Sequence, residues 1–206
     1  MWQNRFRTDR RTVLSGIGAG AVLAAAGCIG TDDEAAPEDD GDAEPDSTDS
    51  DSTALTEPTA VPDEEGCAVC NMVAAEHPAW NAQLVHEDET RVYFCSSGCL
   101  AAYYVTPETF DGPEAAIERA WVTGYEIGEL FAVEEASFVR VTDSDHVDDI
   151  MMMNPTPFAD RADAEQFVAE FDAYSDEDII GIDAFDMELA TLYRGRFLEA
   201  DDSASQ

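Results

Sequence analysis

Two short stretches hold the side chains best suited to chemistry: Cys67-Ala68-Val69-Cys70-Asn71-Met72, and Phe94-Cys95-Ser96-Ser97-Gly98-Cys99. Three further soft donors, Met151, Met152 and Met153, follow in a row ahead of Pro155 and Pro157. Thiolate and thioether sulfur are polarizable and share charge with an electron-rich ion, so they select soft metals, Cu(I) above all. Cysteine alone would suit Zn(II) as well. Methionine tilts the set toward copper, because zinc sites are built from Cys, His and carboxylates. The competing readings are two redox disulfides, or cysteines and methionines that merely fill a core. A thiol-disulfide oxidoreductase using Cys67 and Cys70 is disfavoured, since no thioredoxin-like strand precedes the pair.

The chain around these donors is strongly acidic. Its 206 residues carry 46 Asp and Glu against 10 basic residues, all of them Arg, for a formal net charge of −36. Nucleic acid is excluded as a partner, because binding a phosphate backbone needs the opposite sign of surface. Many carboxylates with no lysine fit a salt-adapted, halophilic surface, where concentrated counterions screen the self-repulsion.

Residues 1–27 read as an export signal: Arg10-Arg11 in a basic start, then a weakly apolar run of residues 13–26 that is too short to span a bilayer. Arg10-Arg11-Thr12-Val13-Leu14 resembles a twin-arginine signal, and Ala25-Ala26-Gly27-Cys28 resembles a lipobox. Cys28 would then be the lipidated first residue of the mature protein, anchored to the outer face of the cytoplasmic membrane. Residues 28–65 form a Pro-, Ser- and Thr-bearing acidic linker too poor in apolar residues to fold, expected to act as an extended tether. Residues 200–206 are expected to be a disordered tail.

The elements that must position the sulfurs lie between, and the fold class expected is α+β, as two similar small ββαβ halves with a C-terminal helix. In the first half, residues 66–128, strands are expected at 80–86 and 91–95, a helix capped by Ser96 or Ser97 up to Tyr104, and a third strand at 118–125. In the second, residues 129–199, residues 130–133 and 137–141 are expected to pair as strands. An amphipathic helix over 160–171 would turn Ala164, Phe167, Val168 and Phe171 inward, with a closing strand at 178–182. A last helix over 183–198 would bury Phe185, Leu189, Leu192 and Phe197. Cys67, Cys70 and Met72 then sit in a loop before the first strand, Cys95 at a strand end, Cys99 in the first turns of a helix, and the methionine triplet in a loop.

The Cys67-Ala68-Val69-Cys70-Asn71-Met72 element, the Tyr93-Phe94-Cys95 strand end, and Met151 seven residues before Phe158 in Pro157-Phe158-Ala159 together resemble the NosL family, from Cys67 to about Ile182. The resemblance implies two ββαβ halves on an exported lipoprotein. It also implies one Cu(I) delivered toward nitrous oxide reductase, beside a NosDFY-type ABC complex. By motif position, Cys70 and Met72 match the Cys and Met of the family's C-x-x-C-G-M element, and Met151 the methionine of M-G-x-x-x-x-P/A-F. Asn71 and Met152 replace the family's glycines, so any of the three methionines could be the ligand; Cys95 and Cys99 rank second. The cysteine layout alone also resembles small TRASH and YHS-type treble-clef modules, in which four cysteines hold Zn(II) or a heavy metal.

The expected role is therefore a Cu(I) carrier rather than an enzyme. It would hold the ion in a low-coordinate site of one or two thiolates and a thioether and pass it on by ligand exchange. Of the three histidines, His86 is read as a surface residue and His146 as part of a solvated acidic loop. Met187 is read as core. Trp80 and Trp121 are read as core or bridging aromatics.

Overall fold

The computed structural model describes residues 56–199. The signal segment, Cys28, most of the acidic linker and the tail lie outside the described residues. No described helix is long and apolar enough to cross a membrane.

Four antiparallel strands form the first sheet: β1 (Ala82–His86), β2 (Arg91–Phe94), β3 (Ile117–Thr123) and β4 (Leu130–Ala132), in the order β2-β1-β3-β4. Three more form the second, β5 (Ser137–Arg140), β6 (Pro155–Phe158) and β7 (Ile179–Ile180), in the order β6-β5-β7. Helix α1 (Ser97–Val105) follows β2, α2 (Arg161–Ala169) follows β6, and α3 (Met187–Leu198) ends the described chain. Each sheet thus carries a β-β-α-β run.

One pairing differs from expectation. β4 does not pair with β5; it extends the first sheet against β3, with Val122 opposite Phe131. The partner of β5 is β6, with Phe138 opposite Pro157 and Val139 opposite Thr156. No strand is expected at β6, whose Pro155 and Pro157 cannot donate to a ladder. It is an edge strand, where alternate prolines can turn their missing N–H away from the neighbour.

Residues 56–65, assigned from composition to the tether, are docked on the first sheet. Thr59 N–H donates to Gln83 Oε1 at 2.9 Å, and Gln83 Nε2 returns a bond to the Thr59 carbonyl at 2.8 Å. All five residues of β1, Gln83 included, are buried.

Helix α1 is the centre of the molecule. Its residues 97–103 are all buried, between the first sheet and α3. Leu84, Phe94, Leu100, Val122 and Phe138 join one core with Cys67, Cys95 and Cys99. Phe158, Phe167, Val168 and Ile179 form a second core under α2, reached from the first half by Trp80 and Tyr125, whose rings lie 5.9 Å apart. Phe171 is only partly buried. Leu192 and Met187 are exposed, because α3 lays Leu189, Ala190 and Tyr193 inward instead.

His86 is also corrected. It is fully buried: its Nδ1–H donates to the Ala115 carbonyl at 2.8 Å, and its Nε2 accepts from the Tyr103 hydroxyl at 3.1 Å. His146 stacks on Phe171 at 4.0 Å between ring centres and bonds the Tyr174 hydroxyl at 2.8 Å, so it packs against an aromatic cluster rather than standing in solvent.

Candidate metal centre

The 67–72 element folds as a tight knuckle. Cys67 N–H donates to the Met72 carbonyl at 2.7 Å, Asn71 N–H donates to the Cys67 carbonyl at 2.8 Å, and Gly66 and Val73 close the loop as an antiparallel bridge. Asn71 lies at φ 59°, a left-handed conformation that Asn tolerates better than most side chains. The knuckle turns both cysteines toward the end of β2.

Opposite it, the chain leaves β2 at Phe94, places Cys95, and enters α1 through Ser96. Ser96 has the extended backbone of an N-cap, but its hydroxyl does not close its own helix. The free N–H of Gly98 is satisfied from far away, by Asn154 Oδ1 at 3.0 Å. Cys99 then sits in the first turn of α1, where the helix dipole favours an anion.

These two segments bring all four cysteines together. One sulfur from each of Cys67, Cys70, Cys95 and Cys99 lies within 4.8 Å of every other, and all four are free thiols. Cys70 and Cys95 are 3.4 Å apart, Cys95 and Cys99 3.8 Å, and Cys99 and Cys70 3.9 Å. A tetrahedral ion bound at about 2.3 Å needs sulfurs about 3.8 Å apart, so the set has the dimensions of a metal site. Ranking Cys95 and Cys99 second underrates them: their sulfurs are as central as the other two. Cys70 alone is partly exposed.

The cluster shapes its own acidity. The Cys67 hydrogen bond and the Cys95 bond draw Cys70 below its ordinary value. For Cys67 the bond from Cys70 acts upward, but those from Cys95 and Cys99 outweigh it and bring the thiol down to about 7. For Cys99 the bond from Cys67 acts upward; Cys70, Cys95 and the charge of Arg194 prevail and lower it. For Cys95 the interactions with Cys67, Cys70 and Cys99 all act upward, Cys67 first, and its thiol is pushed far up. Packed thiolates repel one another, which favours keeping Cys95 in its thiol form.

The methionines lie beside one another on the surface. Met72 and the three residues Met151, Met152 and Met153 line one surface cleft, together with Tyr193, Arg194 and Arg196. Met72 and Met151 also pack against the core that holds the cysteines. Met152 lies at φ 74° and is 64 % exposed, whereas Met151 is partly buried. A left-handed position is where glycine is at home, so Met152 occupies the glycine position of the resemblance and Met151 its methionine.

The NosL family matches residues 58–175, more than half of the chain. The chain belongs to the NosL family. The match begins one residue before Thr59, where the acidic segment docks, and runs through the knuckle, α1, both sheets' early strands and α2. Among solved structures, the copper chaperone NosL from Shewanella denitrificans is similar at 18 % identity. Its TM-score is 0.53, over 64 % of this chain and 97 % of that one. That likeness concerns the fold. A search of curated proteins found no match.

One residue at the centre was missed. Arg194 is 2 % exposed and donates from Nε to Cys99 Sγ at 3.1 Å and from Nη2 to Ser96 Oγ at 2.8 Å. It also bonds Asn154 Oδ1 and the carbonyls of Met153 and Tyr193. It sits at a break in α3, with φ −134° and ψ 21°, which lets the side chain turn inward. The only sequence signal was an arginine set among the apolar residues of an otherwise acidic chain's last helix.

Proposed function

We propose that this chain is a Cu(I) carrier of the NosL type, which receives the ion outside the cytoplasmic membrane and hands it on for maturation of nitrous oxide reductase. A lipid on Cys28 would hold it to the membrane, and a NosDFY-type ABC complex would work beside it. The observation that carries this reading is the sulfur set: a thiolate cluster of four cysteines next to a cleft lined by Met72, Met151, Met152 and Met153. The carrier is not a catalyst; it exchanges ligands without making or breaking covalent bonds in a substrate.

The arrangement supports a direction of transfer. Cys95 and Cys99 are buried, Cys70 is partly exposed, and the methionines line the open cleft. An ion moving outward exchanges strong thiolate donors for weaker thioethers, so a partner's sulfur or imidazole can enter before the last bond is broken. That path needs the ion to give up cysteines in sequence, starting from the inside.

A second reading is favoured by the same geometry. Four cysteines at near-tetrahedral spacing also suit Zn(II) as a closed structural site. Competition against a chromogenic Cu(I) chelator under reducing, anaerobic conditions, beside the same titration with Zn(II), separates the two. Replacing Met72 and Met151 should weaken Cu(I) about tenfold or more and leave Zn(II) nearly unchanged, since zinc hardly uses thioether. Replacing Cys70 should weaken both. Equal losses for both ions in the methionine variants would overturn the copper reading.

A further inference from the structure

Arg194 brings a full positive charge into the interior beside the cysteine cluster. Every atom it bonds belongs to a neutral group or to a sulfur: Ser96 Oγ, Asn154 Oδ1, two backbone carbonyls and Cys99 Sγ. The ion pairs of the described residues involve Arg140, His146 and Arg161, and none involves Arg194. Asp149 feels its charge, but burial drives that carboxyl toward its neutral form. A buried charge without a counter-charge is strongly destabilising, so the thiolates must supply the balance.

We infer that Arg194 sets the metal selectivity of the cluster, its fixed charge disfavouring a divalent ion relative to a monovalent one. An ion bound to Cys99 at about 2.3 Å lies within roughly 5.5 Å of the guanidinium. The repulsion scales with the ion's charge, so Zn(II) suffers it twice over. One extra unit of charge at that separation, in a medium of effective dielectric constant about 20, corresponds to a factor of roughly a hundred in relative affinity. Four thiolates by themselves would favour the more highly charged ion; the guanidinium works against that preference. The inference rests on the copper reading and gives it a reason for using so many cysteines.

The test compares wild type, R194Q, R194K and N154D by competition with chelators for Cu(I) and for Zn(II). R194Q removes the charge and should shift the affinity ratio about a hundredfold toward Zn(II). R194K keeps the charge but loses the fork of donors, and should hold the ratio within about threefold of wild type. N154D sets a carboxylate where Asn154 Oδ1 already meets the guanidinium; it should shift the ratio the same way as R194Q, and it decides the matter if R194Q does not fold. A purely structural role predicts that R194K and R194Q behave alike, and that result overturns the inference. So does an unchanged ratio in R194Q and N154D. The two proposals fail separately. Wild type that surrenders Cu(I) to the chelator removes the copper reading; even then the Zn(II) affinity must rise in R194Q, and a constant value overturns the role of Arg194.

Discussion

Gly98 offers a test in which local and tertiary physics give opposite signs. It is the second residue of α1, and an Ala at a helical glycine ordinarily stabilises by about 0.5–1 kcal/mol, because it narrows the unfolded ensemble. Here a Cβ would stand 2.6 Å from Arg194 Nη2 and 2.8 Å from its Cζ, and would overlap Asn154 Oδ1. Such side-chain ends would swing aside on a surface. These are buried and tied to Ser96, Met153, Tyr193 and each other, so moving them breaks bonds. One hydrogen bond to a buried charge contributes about 1.5–3 kcal/mol, and overpacking a tight site costs a further 1–3 kcal/mol or so. Set against a gain of about 1 kcal/mol, the expected net loss for G98A is about 3 kcal/mol. At about 2–4 °C per kcal/mol for a domain of this size, the melting temperature should fall by about 6–12 °C. Thermal and urea melts of the metal-free, reduced protein measure it. A G98A protein melting at or above wild type would refute the claim that Arg194 and Asn154 are held rigidly against α1.

Two further outcomes are expected. Metal uptake should release about one proton per ion near pH 9, from Cys95, whose thiol stays protonated. The number should grow as pH falls through about 7, where Cys67 takes up its proton and must lose it again on binding. Apparent affinity therefore drops more steeply on the acid side. Titration calorimetry in buffers of different ionisation enthalpy counts these protons, and a count independent of pH would contradict the arrangement. M152G should stabilise the fold by about 1 kcal/mol, because Met152 holds a left-handed backbone that costs a side chain energy and its own side chain is mostly in solvent. Cu(I) affinity should not change; a loss equal to that of a Met151 variant would show that the exposed sulfur is the ligand.

Much of the fold could be read along the chain. The β-branched and aromatic residues of β2, and the spacing of Ala164, Phe167 and Val168 on α2, are local patterns. Local backbone preference and burial agreed there, so the expectation held. It failed at Pro155–Phe158, where proline argues against a strand and only the free edge of a sheet makes one possible. It failed again at Leu130–Ala132, since nothing in three residues says which of two neighbouring strands will take them. The acidic residues 56–65 lack apolar content, yet Thr59 finds its partner in Gln83, a polar side chain on a strand that alternation alone would expose.

The site divides along the same line. Residue types and close spacing alone were enough to mark Cys67, Cys70, Cys95, Cys99 and Met72 as candidate soft-metal donors, because sulfur chemistry is a property of the side chain and a C-x-x-C knuckle is a property of a few adjacent residues. Whether those donors meet was decided only by packing. α1, wedged between the first sheet and α3, carries Cys99 up to the knuckle, and the turn at Met152 brings the methionine loop to the same face. Arg194 belongs entirely to the tertiary structure: its contacts with Ser96 and Cys99 join residues more than ninety positions apart in sequence. Attraction between a buried charge and thiolates needs proximity, low dielectric and exclusion of water, and a linear chain specifies none of these until it has folded.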